Sequence, residues 1–390
     1  MGVRNLKTKQ SLYSLSYFTL FGAIAALSPF FPLLLQSKGF EPSRIGFLLG
    51  SYEMISIMGL LLIGHFYDSF RSPRRTIFTI CLASIIVLFL IAREENLIMI
   101  VPLTLAMGFV IKSPASLMDA HYGQNIPNAE KSYGKARLFG SLGFFTVAML
   151  IQLTGIVEAS RPLSIFRAFS ILLSISMALL IFLPKAHQHK NEKVKTSFLS
   201  KVKSFPLVFW AGLGIAFFNH LGMSGHYTFF SLLMSNKFGR TDVGGLWAIG
   251  PLFELPLFFF SAWLLQKLGL KKLWIIGLAA GFIRMQVYSL SSTILPLYVV
   301  QICHSVSFGF NHLCMITLIT RFVPTESRGL AMALFSAVSM GLSLFVGGFL
   351  GGWILHHSGY TLLFQVLSAA PLLGIVTAGL FLKENRSVGE

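Results

Sequence analysis

Long apolar segments alternate with short polar segments along the whole chain of 390 residues. A run of about 20 apolar residues can cross the hydrocarbon layer of a bilayer as an α-helix. The pattern therefore predicts an all-α membrane protein with twelve transmembrane helices. We place these helices at residues 11–36, 44–69, 75–93, 97–125, 133–157, 162–184, 206–235, 242–266, 272–291, 294–321, 328–356 and 360–382.

The longest polar connection, residues 185–204, separates the first six helices from the last six. It predicts three parts along the chain. An N-terminal six-helix bundle covers residues 1–184, and a C-terminal six-helix bundle covers residues 205–390. The segment between them is rich in Lys and is predicted to be a basic linker in the cytoplasm.

The two halves share short sequence matches at equivalent positions. Residues 30–38 read FFPLLLQSK and resemble residues 229–237, which read FFSLLMSNK. In the same way, residues 132–141 (SYGKARLFGS) resemble residues 327–336 (SRGLAMALFS). Two matches at nearly the same offset indicate a parallel internal repeat. We therefore expect two pseudo-symmetric bundles, with the substrate site near the middle of the membrane between them.

Composition and charge support the same class of protein. Only 12% of the residues are charged, about half the share of a typical soluble domain. The net charge of +17 is also typical of nucleic-acid-binding proteins, but here the basic residues are spread over short loops, so we expect no nucleic-acid partner. If both termini are cytoplasmic, the cytoplasmic segments hold 22 Lys and Arg and the outer segments hold seven, which predicts that orientation.

Arg284 lies inside the ninth predicted helix, where an isolated charge is costly. The hairpin of helices eight and nine turns at Gly269, and both Glu254 and Arg284 lie fifteen residues from that turn. The next hairpin turns near Ile294, ten residues from both Arg284 and His304. Equal distances from a turn mean equal depth, so Glu254, Arg284 and His304 should share one level near the middle of the membrane, with at least one direct ionic contact to Arg284. We interpret the trio as a proton-coupling network with Glu254 as the proton carrier, or alternatively as a clamp that joins three helices.

Two further sets of charged residues are candidates for gating. Asp119 and Arg137 lie nine residues on either side of Asn128, in the turn between helices four and five. They should share a depth near the cytoplasmic edge, where they would close an inner gate or act as a structural clamp. Glu53 lies nine residues from the outer end of helix two and would serve an outer gate or bond a neighbouring helix.

Polar side chains recur at helical spacing on helices four, seven and ten, which places each set on one face. Each set is interpreted as a surface that contacts the substrate, or equally as a set of hydrogen bonds between helices. Tyr17 on helix one is a further candidate for substrate contact, or alternatively a packing or interface residue. The three sets are Lys112, Ser116 and Asp119; Asn219, Met223 and His226; and Gln301, His304, Phe308 and Asn311.

The loop after helix two reads GHFYDSFRSPRR at residues 64–75. It resembles the signature loop of the major facilitator superfamily, whose pattern is carried here by Gly64, Asp68, Arg74 and Arg75, which would act in gating. Residues 133–144 read YGKARLFGSLGF, which is similar to the opening of helix five in the phenylpropionate-permease-like, nucleoside-symporter and lactose-permease-like branches.

The resemblance implies the major facilitator fold, in which helices one, four, seven and ten line a central cavity. It also implies transport by alternating access, coupling to protons, and a place in the bacterial cytoplasmic (inner) membrane. Like this chain, lactose permease has a carboxylate on helix eight, an Arg on helix nine and a His on helix ten.

The expected function is therefore proton-coupled uptake of a small organic solute. Lys112 favours an anionic group, and the 38 Phe residues suit an aromatic body, so an aromatic carboxylate such as a phenylpropionate-like acid is the favoured substrate. A proton-coupled sugar or nucleoside symporter is one alternative, and a drug or metabolite efflux antiporter is another. A membrane-embedded enzyme is disfavoured, because the sequence contains neither HExxH nor GxSxG.

We expect the protein to be a monomer in the lipid bilayer, with no cofactor other than the proton as coupling ion. Cys and His lie close together in the sequence at Cys303 and His304 and again at His312 and Cys314, as they do in many metal-binding motifs. His304 and His312 are about two turns apart on one helix and cannot chelate one ion together, so no metal site is expected.

Overall fold

The computed structural model describes residues 3–69, 73–127, 129–184 and 202–382. The predicted linker at 185–204 therefore lies outside the described residues, apart from its last three positions. The described residues are helical, with turns between the helices and no strand. The prediction of an all-α membrane protein is confirmed.

The described part of the chain contains ten helices that are long and apolar enough to cross a membrane. Gly269 and Gly359 interrupt two of them with φ angles of 74° and 76°, a left-handed conformation that Gly adopts readily. The piece before Gly269 continues a shorter apolar helix, so the spans in the described ranges number twelve, as predicted. We number them α1 (Thr8–Ser37), α2 (Pro42–Gly64), α3 (Arg74–Arg93), α4 (Leu97–Asn125), α5 (Ser132–Thr154), α6 (Pro162–Phe182), α7 (Leu207–Phe238), α8 (Gly244–Phe259, continuing to 268), α9 (270–290), α10 (Leu295–Phe322), α11 (328–358) and α12 (360–381).

A break in α4 positions Lys112. The helix is divided into Leu97–Ile111 and Ser113–Asn125, with Lys112 at the junction. Pro114 has no N–H to donate to the carbonyl of Val110, and the backbone N–H of Lys112 bonds that carbonyl instead. Lys112 therefore lies at an irregular point of the helix, where its side chain is half-buried.

A π-helical turn at Gly225–Phe229 interrupts α7. Turns of this kind often occur at functional sites. Here the turn carries His226 and Tyr227, whose rings both lie close to the ring of His304, with centroids 5.7 Å and 6.1 Å away. Two consecutive side chains of α7 thus reach the same neighbour on α10.

The helices contact one another in two compact units, each of which takes a short segment from the other half of the sequence. The predicted division of the chain at 185–204 stays a prediction. The first unit comprises Met1–Glu41, Ile55–His189 and Ser231–Leu252. The second unit comprises Pro42–Met54, Lys190–Phe230 and Phe253–Glu390.

Close approach at glycines attaches the exchanged segments to their units. In the second unit, a Cβ added at Gly46 of α2 would lie 2.6 Å from the carbonyl oxygen of Gly348 in α11. In the first unit, a Cβ added at Gly244 of α8 would lie 2.6 Å from the carbonyl oxygen of Ala148 in α5. Small residues let transmembrane helices pack this closely. Packing, rather than order along the chain, therefore decides which unit these segments join.

Large apolar side chains cover the outside of both units. Leu153 in the first unit is 77% exposed, and Phe259 and Leu380 in the second unit are 81% and 75% exposed. Surface of this kind on a soluble monomer would be confined to small patches. These faces are therefore the ones that contact lipid in a multi-pass membrane protein.

Candidate functional site

Arg284 is 1% exposed and lies inside the second unit, between α9 and α10. Its Nε donates to the hydroxyl of Tyr288 at 2.8 Å, and its Nη2 donates to Oε1 of Gln301 at 2.7 Å. Its Nη1 lies 2.9 Å from Nδ1 of His304. A hydroxyl, an amide and an imidazole thus hold the guanidinium. None of the three is an anion, so the charge of Arg284 is solvated by neutral groups.

His304 lies between Arg284 and Glu254. Its Nε2 is 3.5 Å from Oε1 of Glu254. A guanidinium can only donate, so Nδ1 of His304 must accept from Arg284. The ring therefore carries its proton on Nε2, the nitrogen that faces the carboxylate of Glu254. Hydrogen bonding alone assigns this tautomer.

The structure brings the three predicted residues to one level, but in an order that the hairpin geometry did not predict. No carboxylate among the described residues forms an ion pair with Arg284, and His304 separates its guanidinium from Glu254. The expectation of a direct ionic contact to Arg284 is wrong. Equal distance from a turn sets depth but not rotation, and the long Arg side chain reaches toward α10, where Gln301 lies one turn from His304.

The network extends from Arg284 to α7 through Tyr288. Nδ1 of His226 lies 3.0 Å from the Tyr288 hydroxyl, and the ring of Phe230 stacks on Tyr288 with centroids 4.7 Å apart. His226 and Gln301 were predicted to line the substrate cavity, and both belong to this network. Tyr288 was not predicted, although its position four residues after Arg284 places it on the same helix face.

Asn219, Met223 and Asn311 are buried; Asn219 and Asn311 contact neighbouring helices, and Met223 contacts Asn219 within α7. Nδ2 of Asn219 lies 3.3 Å from the carbonyl oxygen of Ser307 and 3.5 Å from Sδ of Met223. Oδ1 of Asn311 accepts from Nε1 of Trp274 at 2.8 Å. Each of the three predicted residues is 1% exposed. The contacts of Asn219 and Asn311 fit the alternative interpretation, hydrogen bonding between helices, better than contact with a substrate.

Phe308 of α10 joins two histidines in a stack along the helix. Its ring lies 5.8 Å from the ring of His304 at an interplanar angle of 5°, and 5.9 Å from the ring of His312 at 12°. Phe308 is half-buried. This stack continues the group of aromatic rings beside the Arg284 network along α10.

The first unit contains a second charged cluster, built around Asp119 of α4. The Tyr17 hydroxyl donates to Oδ1 of Asp119 at 2.7 Å, and the side chain of Tyr133 lies close to both Asp119 and Arg137. The guanidinium of Arg137 lies 3.8 Å from the centre of the Phe21 ring. Asp119 and Arg137 lie within electrostatic range of each other, with Tyr133 near both, and their role as an inner gate or a structural clamp stays a prediction. Tyr133 was not singled out from the sequence.

Two further polar candidates, Ser116 of α4 and Glu53 of α2, are half-buried. Ser116 lies one helical turn beyond Lys112 in α4. Glu53 of α2 belongs to the second unit, where it and Glu254 both lie within electrostatic range of Tyr227. The α2 carboxylate is therefore close to the π-helical turn of α7. Its assignment to an outer gate stays a prediction.

The signature loop has one residue with a clear structural role. Nη1 of Arg74 donates to the carbonyl oxygens of Leu183, at 2.7 Å, and Ile181, at 3.2 Å. Arg74 therefore caps the C-terminal end of α6, where free carbonyls favour a cation. Arg75 is exposed and Gly64 is half-buried, while the side chain of Asp68 lies outside the described residues. Gating by this loop stays a prediction.

A polar latch connects the last turn of α5 and the first turn of α8 to Arg240 and Asp242, which lie outside the membrane-spanning segments in the loop between α7 and α8. Asp242 accepts from Arg240 and, at 2.9 Å, from Nε2 of Gln152. Oε1 of Gln152 accepts in turn from the backbone N–H of Gly245 at 2.9 Å. The hydrogen bond from Arg240 is the main reason that the pKa of Asp242 is lowered to about 2. This latch was not predicted from the sequence.

We expect Asp242→Asn to leave the pH profile of transport unchanged between about pH 5 and pH 8. Because the pKa in the folded protein is lowered, the latch contributes stability above the ordinary Asp value and loses it as the pH falls through about 2. The carboxylate is therefore ionised throughout the range in which transport is measured. Initial uptake rates of the wild type and the variant, taken at matched pH on both sides, test this. A shift of the profile by half a pH unit or more would contradict it.

Comparison with known proteins agrees with this architecture. The model described as the MFS_1 like family matches residues 11–366. A probable 3-phenylpropionic acid transporter of Escherichia coli (strain K12) is 26% identical over 89% of this chain and 91% of its own length. A putative nucleoside transporter, YegT, of the same organism is 23% identical over 82% of this chain and 78% of its own length. The crystal structure of a mutant of the nucleoside transporter NupG superposes with a TM-score of 0.83, at 14% identity, over 96% of this chain and all of the other.

Proposed function

The chain belongs to the MFS_1 like family of major facilitator transporters, and on that premise we propose that it is a proton-coupled symporter of a small aromatic carboxylate. As a secondary transporter it carries a small molecule across the membrane without being an enzyme. The symport direction, the coupling ion and the substrate class are the specific content of the proposal. The observation that carries it is the hydrogen-bonded series Glu254–His304–Arg284 in the second unit.

Glu254 is the group proposed to bind and release the transported proton. Glu254 is 9% exposed. Among the described residues its partner is Nε2 of His304, and because that ring is neutral in the assigned tautomer, the negative charge of Glu254 is only weakly compensated. A proton on Glu254 would remove a buried charge, and that gain disappears when a cation approaches. A change in the position of Arg284 or His304 during alternating access would therefore change the proton affinity of Glu254.

His304 would transmit the position of Arg284 to Glu254. While Arg284 donates to Nδ1, that nitrogen cannot take up a proton, and the ring stays neutral. If Arg284 leaves, Nδ1 becomes free to accept a proton and the ring can turn. The hydrogen bonding between His304 and Glu254 can thus differ according to the position of the Arg284 guanidinium.

The anionic substrate is supported by the charge balance around Arg284. The guanidinium is surrounded by neutral acceptors, so a carboxylate from outside the protein would complete its pairing in bidentate geometry. The aromatic part of the substrate is supported by the rings of Tyr227, His304 and Phe308 near the network. One relative is named as a probable 3-phenylpropionic acid transporter, and the acid in that name is an aromatic carboxylate.

A nucleoside is the second candidate. The relative named as a putative nucleoside transporter favours it. Hydrogen bonds from amides and imidazoles would suit a ribose and a base, and aromatic side chains would stack on the base. A nucleoside carries no negative charge that could pair with Arg284. The aromatic carboxylate is therefore the favoured substrate.

Uptake into proteoliposomes tests the proposal. Purified protein is reconstituted, and uptake of radiolabelled 3-phenylpropionate and uridine is measured with an inward proton gradient, without one, and with an uncoupler. We expect accumulation of 3-phenylpropionate only with the gradient, and little uptake of uridine. Accumulation of uridine alone would replace the substrate class. Uptake that an inward gradient slows would instead indicate exchange of substrate for protons.

A further inference from the structure

A groove of about 680 Å³ runs between α1 and α5 within the first unit. One end is polar and carries Gln10, Ser132 and Lys135, and the walls beyond it are apolar, formed by Leu15, Phe139 and Leu142. Lys135 and all three apolar residues are exposed. The groove is therefore amphipathic along its length and open on one side.

The Lys135 side of the groove is turned away from Arg137 of the Asp119 cluster. Lys135 and Arg137 are two residues apart, which is about 200° of rotation on a helix. Arg137 points inward, over the ring of Phe21. Lys135 consequently points outward, in line with Phe139 and Leu142, which repeat at helical spacing. These exposed apolar side chains belong to the face that meets lipid.

The depth of the groove matches one leaflet of a bilayer. The lining residues span positions 10–18 of α1 and 132–142 of α5. At 1.5 Å per residue the longer of these stretches covers about 15 Å, which is half of a hydrocarbon layer about 30 Å thick. Both stretches lie at the starts of odd-numbered helices, which the predicted orientation places at the cytoplasmic surface.

We propose that this groove is a binding site for one anionic glycerophospholipid of the cytoplasmic leaflet. The phosphate would pair with Lys135, whose stem lies along the apolar wall while its ammonium reaches the interface. Gln10 and Ser132 would hydrogen-bond the polar backbone of the lipid, and one acyl chain would follow Leu15, Phe139 and Leu142.

Charge favours a lipid over a second copy of the chain. In a symmetric dimer this face would meet the same face of the second copy, and the groove lining carries Lys135 but no carboxylate that could pair with it. A phosphate supplies the opposite charge at the same place. The groove is also separate from the network proposed for coupling, so its occupant differs from the transported solute.

Native mass spectrometry of the full-length protein in detergent tests the site. Phosphatidylglycerol and phosphatidylcholine of the same acyl composition are titrated, and the fraction of protein with one bound lipid is recorded. We expect Lys135→Gln to weaken binding of phosphatidylglycerol about fivefold, and to leave phosphatidylcholine unchanged, because one surface Lys attracts an anionic headgroup to about this extent. Lys135→Arg should restore the binding.

Lys267→Gln is the matched control, because Lys267 is an exposed lysine outside the groove, near the predicted cytoplasmic end of α8. It should change binding by less than twofold. Equal losses in the two Gln variants would show attraction to the surface charge in general and would overturn the proposal.

Ser14→Trp tests the groove without changing charge, since Ser14 lines it. We expect the bulky ring to exclude the lipid and to lower the bound fraction at least fivefold, while gel filtration still gives a monodisperse peak. If this variant binds phosphatidylglycerol to the same fraction as the wild type, the proposal is overturned. A dimeric wild type that this substitution converts to monomer would assign the groove to a second copy instead.

Discussion

Glu254→Gln is expected to abolish accumulation of substrate against its gradient while it leaves exchange of substrate across the membrane largely intact. Gln has the shape of a protonated carboxyl group, but it can neither bind nor release a proton. Exchange of external for internal substrate requires no net movement of protons, so a carrier locked in the protonated form can still perform it. Binding of substrate should change by less than about threefold.

The measurement compares two assays on the same proteoliposomes, uptake driven by an inward proton gradient and counterflow of labelled substrate. Glu158→Gln is the matched control, because that carboxylate is largely exposed and its pair with Arg161, at 3.2 Å, lies on the surface. An exposed pair of this kind contributes little. If Glu254→Gln accumulates substrate at the wild-type rate, Glu254 is a clamp, and Asp119 becomes the next candidate for proton carrier.

Arg284→Ala should be more severe, with loss of accumulation and of exchange together. The guanidinium donates to Tyr288, His304 and Gln301, and its removal leaves Nδ1 of the buried His304 without a donor, while Tyr288 and Gln301 keep only their hydrogen bonding to each other and to other neighbours. It also removes the cation that would pair with a carboxylate substrate. We expect the affinity for 3-phenylpropionate to fall about 100-fold, equivalent to about 2.8 kcal/mol.

Binding is measured on purified protein by calorimetry, and thermal unfolding is followed in parallel to separate binding from folding. Arg284→Lys should recover part of the affinity, because it keeps the charge but lacks the planar fork that contacts three acceptors. Arg167→Ala removes an exposed arginine near the start of α6 and should have no effect. Normal counterflow by Arg284→Ala would remove Arg284 from the proposed substrate site, even if the gradient-driven uptake were lost.

The two variants separate the parts of the proposed function. Glu254→Gln reports on coupling, and Arg284→Ala reports on binding and coupling together. A protein that transports a nucleoside by proton symport would lose accumulation in Glu254→Gln, yet its substrate would not depend on the charge of Arg284. The comparison of Arg284→Lys with Arg284→Ala therefore bears on the substrate class, whichever residue carries the proton.

The spans themselves could be predicted closely, because a transmembrane helix is a local feature. The predicted helix at 97–125 coincides with Leu97–Asn125, and the turn predicted at Gly269 is a left-handed break between α8 and α9. Length and apolar composition decide such segments, and a glycine marks the turn. The shared depth of Glu254, Arg284 and His304 followed from the same local rule, since rise per residue converts position in the chain into depth.

The pairing of side chains could not be predicted in the same way. Tyr17 bonds Asp119 from 102 positions away, and His226 bonds Tyr288 from 62 positions away. Such contacts depend on how each helix is rotated and on which helix lies beside it. Depth alone left Arg284 free to reach a carboxylate directly or, as the structure has it, through His304.

Sequence alone determined the all-helical membrane class, the number of spans, and the level of the buried charges, because the hydrocarbon layer imposes length and polarity on each helix separately. Tertiary structure decided the tautomer of His304, the roles of Tyr288 and Tyr133, and the groove beside Lys135. It also decided that residues 42–54 and 231–252 pack with the other half of the chain. These features arise from close packing between helices distant in sequence, where a glycine or a rotated side chain changes the contacts without altering the apolar pattern.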